Sequence, residues 1–543
     1  MKHNFRRTIR CTVLLMTAVL AVLAARPDAA AAAGSAGGVQ NNAGSTGKLS
    51  GIKEIVASSG FWGGSSFALR QDGSVWVWGS NVFGQFAKGT ASPEGWTVTP
   101  QRIATLDGTR QLVIGYGFYA ALSRDGTVKA WGGRLLEQSG TAEGGTRVST
   151  PQPIAGMNGI VKLAARDGGL LALRSDGKLM NWEVPAADGS YVAGVPAASE
   201  VPGITDVKDI ASGGAFHAAL RSNGTLWLWA DEDQGAGRLL RTKPAQIPNL
   251  YYVKSFVLDG RSLVALTESG SVWATTGIDY EHFLPQAVKK MSKLSGIVSI
   301  ETKESLNLAR SAKGDTWVWE SETDQRSLQK ITAVPQMARV SLIPDGMIIV
   351  QKNGTSWNVG REWAGEKLTF KRPWQIKGLL NPVSFASGEN SKYAVLKDGT
   401  AVAWGTNMFG QLGINTPESR PFTASPIMKP VSLKVDGRSV ESEQSSILLE
   451  GRVMVPVRAF AESLGYTVSW DNGIKLERNG RTVRIEGGQL SVDGKTVPLT
   501  PAPLKVSYTQ LVPAGPLAAA LGAAAKWDSA NYELTISPMT AGQ

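Results

Sequence analysis

Side chains able to do chemistry are few and widely spaced in this sequence of 543 residues. There is one cysteine, Cys11, and three histidines, of which His3 lies in the leader, leaving His217 and His282. Metal binding and nucleophilic catalysis both need several imidazoles, thiolates or carboxylates brought to one point. His217 stands in "GAFHAALRSNG", inside an alternating apolar run, where a structural histidine is the stronger reading than a base or a ligand. "DEDQG", Asp231 to Gly235, has the alternate oxygens and glycine turn of a calcium loop. It lacks the spacing and the closing glutamate, so a solvated loop is expected there. Recurring Asp-Gly and Asn-Gly pairs are explained by hairpin geometry and not as paired acids for hydrolysis. No catalytic, cofactor-binding or metal-binding residue is therefore assigned, and no cofactor and no enzymatic activity are expected.

The N-terminus reads as a signal peptide over residues 1–33. Lys2, Arg6, Arg7 and Arg10 precede an apolar run from Cys11 to Ala25, and Ala29 to Ala33 form a small-residue cleavage region. The run is broken by Arg26-Pro27-Asp28, too early for a membrane span of about 20 residues. Cleavage removes Cys11, so the exported protein has no thiol and must be held by burial alone. Residues 34–50, rich in Gly, Ala, Ser and Asn, read as a flexible linker. The leader carries five basic residues against Asp28, so the net charge of +11 falls to +7 on export. From Ser432 onward eleven basic residues balance eleven acidic ones, leaving the excess on the middle of the chain.

That middle, residues 51–431, repeats itself. "DGSVWVWGSNVFGQF" from Asp72 returns as "DGTAVAWGTNMFGQL" from Asp398. A strand, a second strand, a glycine turn and an aromatic strand can be laid over the chain eight times, with turn glycines Gly73, Gly126, Gly177, Gly224, Gly270, Gly314, Gly354 and Gly399. Intervals of 40 to 53 residues suit a four-stranded propeller blade and are too long for a hairpin. Eleven of the 17 tryptophans fall on the strand after the turn glycine, where packing between blades is their expected role. The residues "FHAALRSNGTLWLW", "YAALSRDGTVKAWG" and "YAVLKDGTAVAWGTNMFGQLG" resemble the repeats of the regulator of chromosome condensation family, over about Gly51 to Pro430. That resemblance implies a closed propeller, usually of seven blades, so a mainly β, seven- or eight-bladed propeller is expected.

Residues 432–543 change rhythm. In "GRVMVPVRAFAESLGYTVSWD", Pro456 can open a helix, Val457, Phe460, Ala461 and Leu464 share one face, and Gly465 can close it. "LVPAGPLAAALGAAAKWD" repeats the order 57 residues later, pairing Pro456 with Pro513 and Trp470 with Trp527. These phrases resemble the copper amine oxidase N-terminal-like domain of bacterial envelope proteins, which implies a small duplicated α+β domain without the catalytic, copper-binding part. The first copy keeps Arg458 where the second has Gly515, and the module has no histidine. Met454 reads as core, and Tyr466, Tyr508 and Tyr532 have no metal site to modify them.

The expectation is an exported binding or scaffold protein of a Gram-positive bacterial envelope, secreted or held at the cell surface. Its partner would be a protein or an anionic cell-wall polymer, and nucleic acid, a GTPase and an integral membrane segment are not expected. The alternatives are a carbohydrate-active propeller enzyme and an adhesin or sensor.

Overall fold

The computed structural model describes residues 47–539 except 59–63, 83, 90–94, 137–146, 167, 185–191, 234–238, 261, 276–287, 322–326, 366 and 389. The signal peptide, most of the linker and His282 lie outside these residues.

Each repeat opens with an innermost strand, and the eight can be written in register from the sequence: Ile52–Ala57, Thr109–Gly115, Ile160–Arg166, Val207–Gly213, Val253–Asp259, Ile297–Lys303, Met337–Ile343 and Pro382–Ser387. Every one pairs antiparallel with the strand that follows it, and every pairing slips between its first and third residues. Such a bulge sharpens the local twist. The turn that follows holds its glycine at positive φ in all eight copies, from 76° at Gly399 to 89° at Gly314. That conformation is why Asp-Gly and Asn-Gly recur. Strands in the first unit run in the order Ile52–Ala57, Ser65–Arg70, Val75–Ser80, Trp96–Arg102. The strand pairings among the described residues give eight such units. The seventh and eighth are joined at their outer edges by a parallel bridge, Lys377 to Thr423.

Among the described residues the core clusters span neighbouring units. Leu220, Leu226 and Leu228 of the fourth unit pack with Phe256, Leu258 and Leu263 of the fifth, and comparable clusters straddle the other walls. A single sheet would leave one apolar face wet, which is why the phrase must recur around an axis. Trp78, Trp131, Trp182, Trp229, Trp319 and Trp404 are buried in these walls. The innermost strands pack each against the next, and that of the first unit against that of the eighth. The ring is locked by Leu49 N–H donating to Ile427 O at 2.9 Å and by the Ser66 hydroxyl donating to the Tyr393 hydroxyl at 2.8 Å. Gly47 to Ser50 are thus part of the closure, because Leu49, only 4% exposed, needs the last unit to cover it. The linker expected to reach residue 50 does not include them.

Beyond residue 431 the duplicated unit has the expected order twice: Arg452–Pro456, helix α1 (Val457–Ser463) and Thr467–Trp470, then Thr509–Pro513, helix α2 (Ala514–Ala520) and Ala523–Asp528. Val457, Phe460 and Ala461 of α1 and Leu517 and Ala518 of α2 enter one core. The last strand, Glu533–Pro538, returns beside Ser432–Val435 in parallel. This domain is seated on the outer edge of the first unit. Val98 packs with Ile447, Met454, Val506 and Leu511, so Met454 is buried as expected but against the propeller. Gln444, 1% exposed, accepts from Val98 N–H at 3.4 Å, and Asn415 donates to Leu448 O at 3.1 Å.

Candidate functional site

Among the described residues, the polar clusters that could do chemistry include one inside a wall and one at the hub. The first is built where the third and fourth units meet. Alternation along Val207–Gly213 and Phe216–Arg221 sets Ser212 opposite His217. Their side chains meet Asp231 from the next strand: Ser212 Oγ lies 2.8 Å from His217 Nδ1, and His217 Nε2 lies 3.0 Å from Asp231 Oδ2. Hydroxyl, imidazole and carboxylate in series suggest a nucleophilic triad. Burial and charge argue against one. Ser212 and His217 are each 1% exposed, and Arg166 from the third unit pairs with the same Asp231 oxygen at 2.9 Å. The imidazole also stacks on Trp229 at 5.4 Å. Arg166 reaches Asn181 and Glu183 as well, both at 3.1 Å. The cluster is therefore a buried polar clamp between units. Asp231, expected in a solvated loop, is a correction: its carboxylate is buried and engaged by Arg166 and His217 and is not available to calcium. Glu232 and Asp233 continue the strand Leu226–Asp233 and pair with Leu240 and Leu239, and Gln234 and Gly235 lie outside the described residues.

The second cluster is the hub. The third residues of the innermost strands face the next unit, and in the first half of the ring they are long. Gln111 clamps Leu163, donating to its carbonyl and accepting from its N–H, both at 2.8 Å, and Lys162 pairs with Asp209. In the sixth and eighth units the same position holds Ser299 and Ser384. The small side chains leave a cavity of about 600 Å³ bounded by the innermost strands of the sixth, seventh, eighth and first units.

Charged groups line it unevenly. Lys53, Lys303, Arg310 and Arg339 face Glu54 and Glu301. Burial pushes Glu301 up to about 7, a rise that the Leu342 N–H, at 2.9 Å, and the charges of Arg339 and Lys303 only partly offset. Glu54 is also pushed up to about 7 by burial, against the opposing pull of Lys53. Arg339 is held below its ordinary value, first by burial, although Glu301 opposes this. Both acids thus carry only partial charge at neutral pH. Sequence reasoning missed this site. The available signal was the third position of each innermost strand, which is read only once all eight strands are in register.

Among the described residues no group of three or more His, Cys, Asp or Glu side chains could hold a metal ion, and no helix is long and apolar enough to cross a membrane. In the C-terminal domain Tyr466 donates to Leu521 O at 3.1 Å, Tyr532 is buried beside Lys429, and Tyr508 is exposed.

Comparison with known proteins agrees with this architecture. Residues 52–85 match the regulator of chromosome condensation (RCC1) repeat, and residues 434–536 match the copper amine oxidase N-terminal domain. The chain is thus similar to the RCC1 repeat in its propeller and to the copper amine oxidase N-terminal domain in its C-terminal module. It is 25% identical to the human E3 ubiquitin-protein ligase HERC2 over 382 residues, which is 63% of this chain and 7% of that protein. It is 24% identical to the ultraviolet-B receptor UVR8 of Arabidopsis thaliana over 73% of this chain and 85% of that one. The guanine nucleotide exchange factor SRM1 of Saccharomyces cerevisiae is 24% identical over 38% of this chain and 46% of its own length. Among solved structures, Prp20p of Saccharomyces cerevisiae, described with binding to Gsp1p and histones, overlaps 66% of this chain and 87% of its own at 17% identity and a TM-score of 0.44. That overlap is too loose to carry function across.

Proposed function

We propose that this is an exported, non-catalytic binding or scaffold protein of a bacterial cell envelope, whose propeller engages a protein or an anionic wall polymer. One observation carries the reading: the reactive-looking side chains are locked inside the walls, while the hub opens into a cavity with four cations and two weakened acids. The charge distribution supports it, because the basic excess lies on the propeller and the C-terminal module is neutral. A basic surface favours anionic partners. The relatives that act on ubiquitin or exchange guanine nucleotide do so in proteins this chain covers by less than half. An exported chain meets neither a GTPase nor nucleic acid. The C-terminal domain serves as a docked support, with no copper and no amine oxidation.

A carbohydrate-active enzyme is the second reading, favoured by Glu54 and Glu301, two acids near neutrality on one cavity. A general acid of a glycosidase has a raised pKa of this kind. Sedimentation of the purified exported protein with isolated cell walls separates the two. Binding that is saturable at low salt and falls steeply as salt rises is expected, with no sugar released into the supernatant. No binding at low salt contradicts the first reading, and released sugar establishes the second.

A further inference from the structure

The hub cavity holds more hydrogen-bond donors than the protein uses. Arg310, on the second strand of the sixth unit (Leu306–Ser311), is half-buried on the lining. Its guanidinium makes no hydrogen bond or ion pair with any described residue. Its charge is close enough to Arg339 to disfavour a second cation there. Arg339 itself donates to Val383 O, with the rest of its planar fork free for other partners. Two residues along the same strand, hence on the same face, Ser341 is 3% exposed and its Oγ has no hydrogen-bond partner. Buried hydroxyls are ordinarily satisfied, so the orphaned Ser341 on a cavity that also holds an unpartnered guanidinium calls for a partner. The acid nearest these groups, Glu301, already accepts from Leu342 N–H.

We propose that the hub cavity is an oxyanion-binding site, in which Arg310 and Arg339 take a carboxylate, phosphate or sulfate group of a small ligand or polymer terminus and the Ser341 hydroxyl donates a further hydrogen bond. Guanidinium groups match such anions in two-pronged geometry, and two of them lining one cavity are stabilised by a shared counter-charge. The volume suits a ligand of one or two sugar units and excludes a nucleic acid duplex or a folded protein. The identification of the natural ligand with a wall polymer's anionic group rests on the reading above, whereas the site stands on its own residues.

Titration calorimetry on the full exported chain at low salt tests it, with inorganic phosphate, sulfate, glucuronate and uncharged glucose as probes. At least one of the three anions should bind with one-to-one stoichiometry and glucose should not, and the anion that binds tightest names the oxyanion. Arg310→Gln should weaken that binding at least tenfold. Because Arg310 has no partner to lose, this variant should fold and melt like the parent, and Arg339→Gln is a second check. Absence of binding by all three anions, equal binding of glucose, or unchanged affinity in the Arg310→Gln protein would each overturn the proposal. Anion binding that depends on Arg310 in a protein that ignores cell walls would keep the site and remove the wall-polymer reading.

Discussion

Arg166 and Glu301 are both ionisable groups inside the ring, and their surroundings give them opposite tasks. Arg166 is paired with Asp231 and Glu183, so its charge joins two units. Glu301 is under-compensated. Its carboxyl keeps its proton up to about 7 in the folded chain against an ordinary value of 4.5, so between these values the folded state holds the extra proton. Stability must then fall as pH rises from 4.5 towards 7 and stay reduced above it. Glu301→Gln mimics the protonated acid and keeps an acceptor for Leu342. The variant should melt above the parent at pH 8, with the gap closing by pH 4.5. Thermal unfolding across that range checks it, and a gap independent of pH would contradict the assignment. Neither role was legible in the sequence. Arg166 and Asp231 lie in different repeats, and only the wall between units brings them together.

At the scale of elements, what the sequence revealed was whatever a repeat imposes locally. A turn glycine is visible because only positive φ explains it, and the eight glycines, the strands around them and both short helices appear where the spacing puts them. Gly224 shows why substitution there is unfavourable. It sits at φ 78°, and a Cβ would lie 3.1 Å from the Tyr252 Cα in the next unit. Gly224→Ala should therefore cost at least the 1–2 kcal/mol or so of a left-handed alanine, with the crowding added. Chemical denaturation measures it, and a change within a few tenths of a kcal/mol would show that the neighbouring unit yields. The innermost strands were harder to read, since their third positions range from Gln111 to Ser384 and no one residue type runs through all eight. The hub is set by which of these are long and which are short, a pattern with no local signature. The docking of the C-terminal domain was equally hidden, because Gln444 in "ESEQSS" reads as an ordinary polar loop until Val98 and Thr99 lie across it.

As a whole, the molecule is a closed ring of sheets with a small domain braced on its edge. Val98, Ile447, Met454 and Leu511 form the contact, and Gly47 to Ser50 close the ring beside it. Such an assembly offers a ligand two places: the hub with its surrounding faces, or the exposed surface of the brace. The proposed ligand belongs to the propeller. Hydrogen exchange of the wall-bound protein against the free protein tests this most directly, since backbone amides report which elements become protected on binding. Added protection over 297–303, 337–343 and the strands that follow them, with residues 432–539 unchanged, is the predicted result. Protection confined to residues 432–539, with the propeller exchanging as in the free protein, would contradict it.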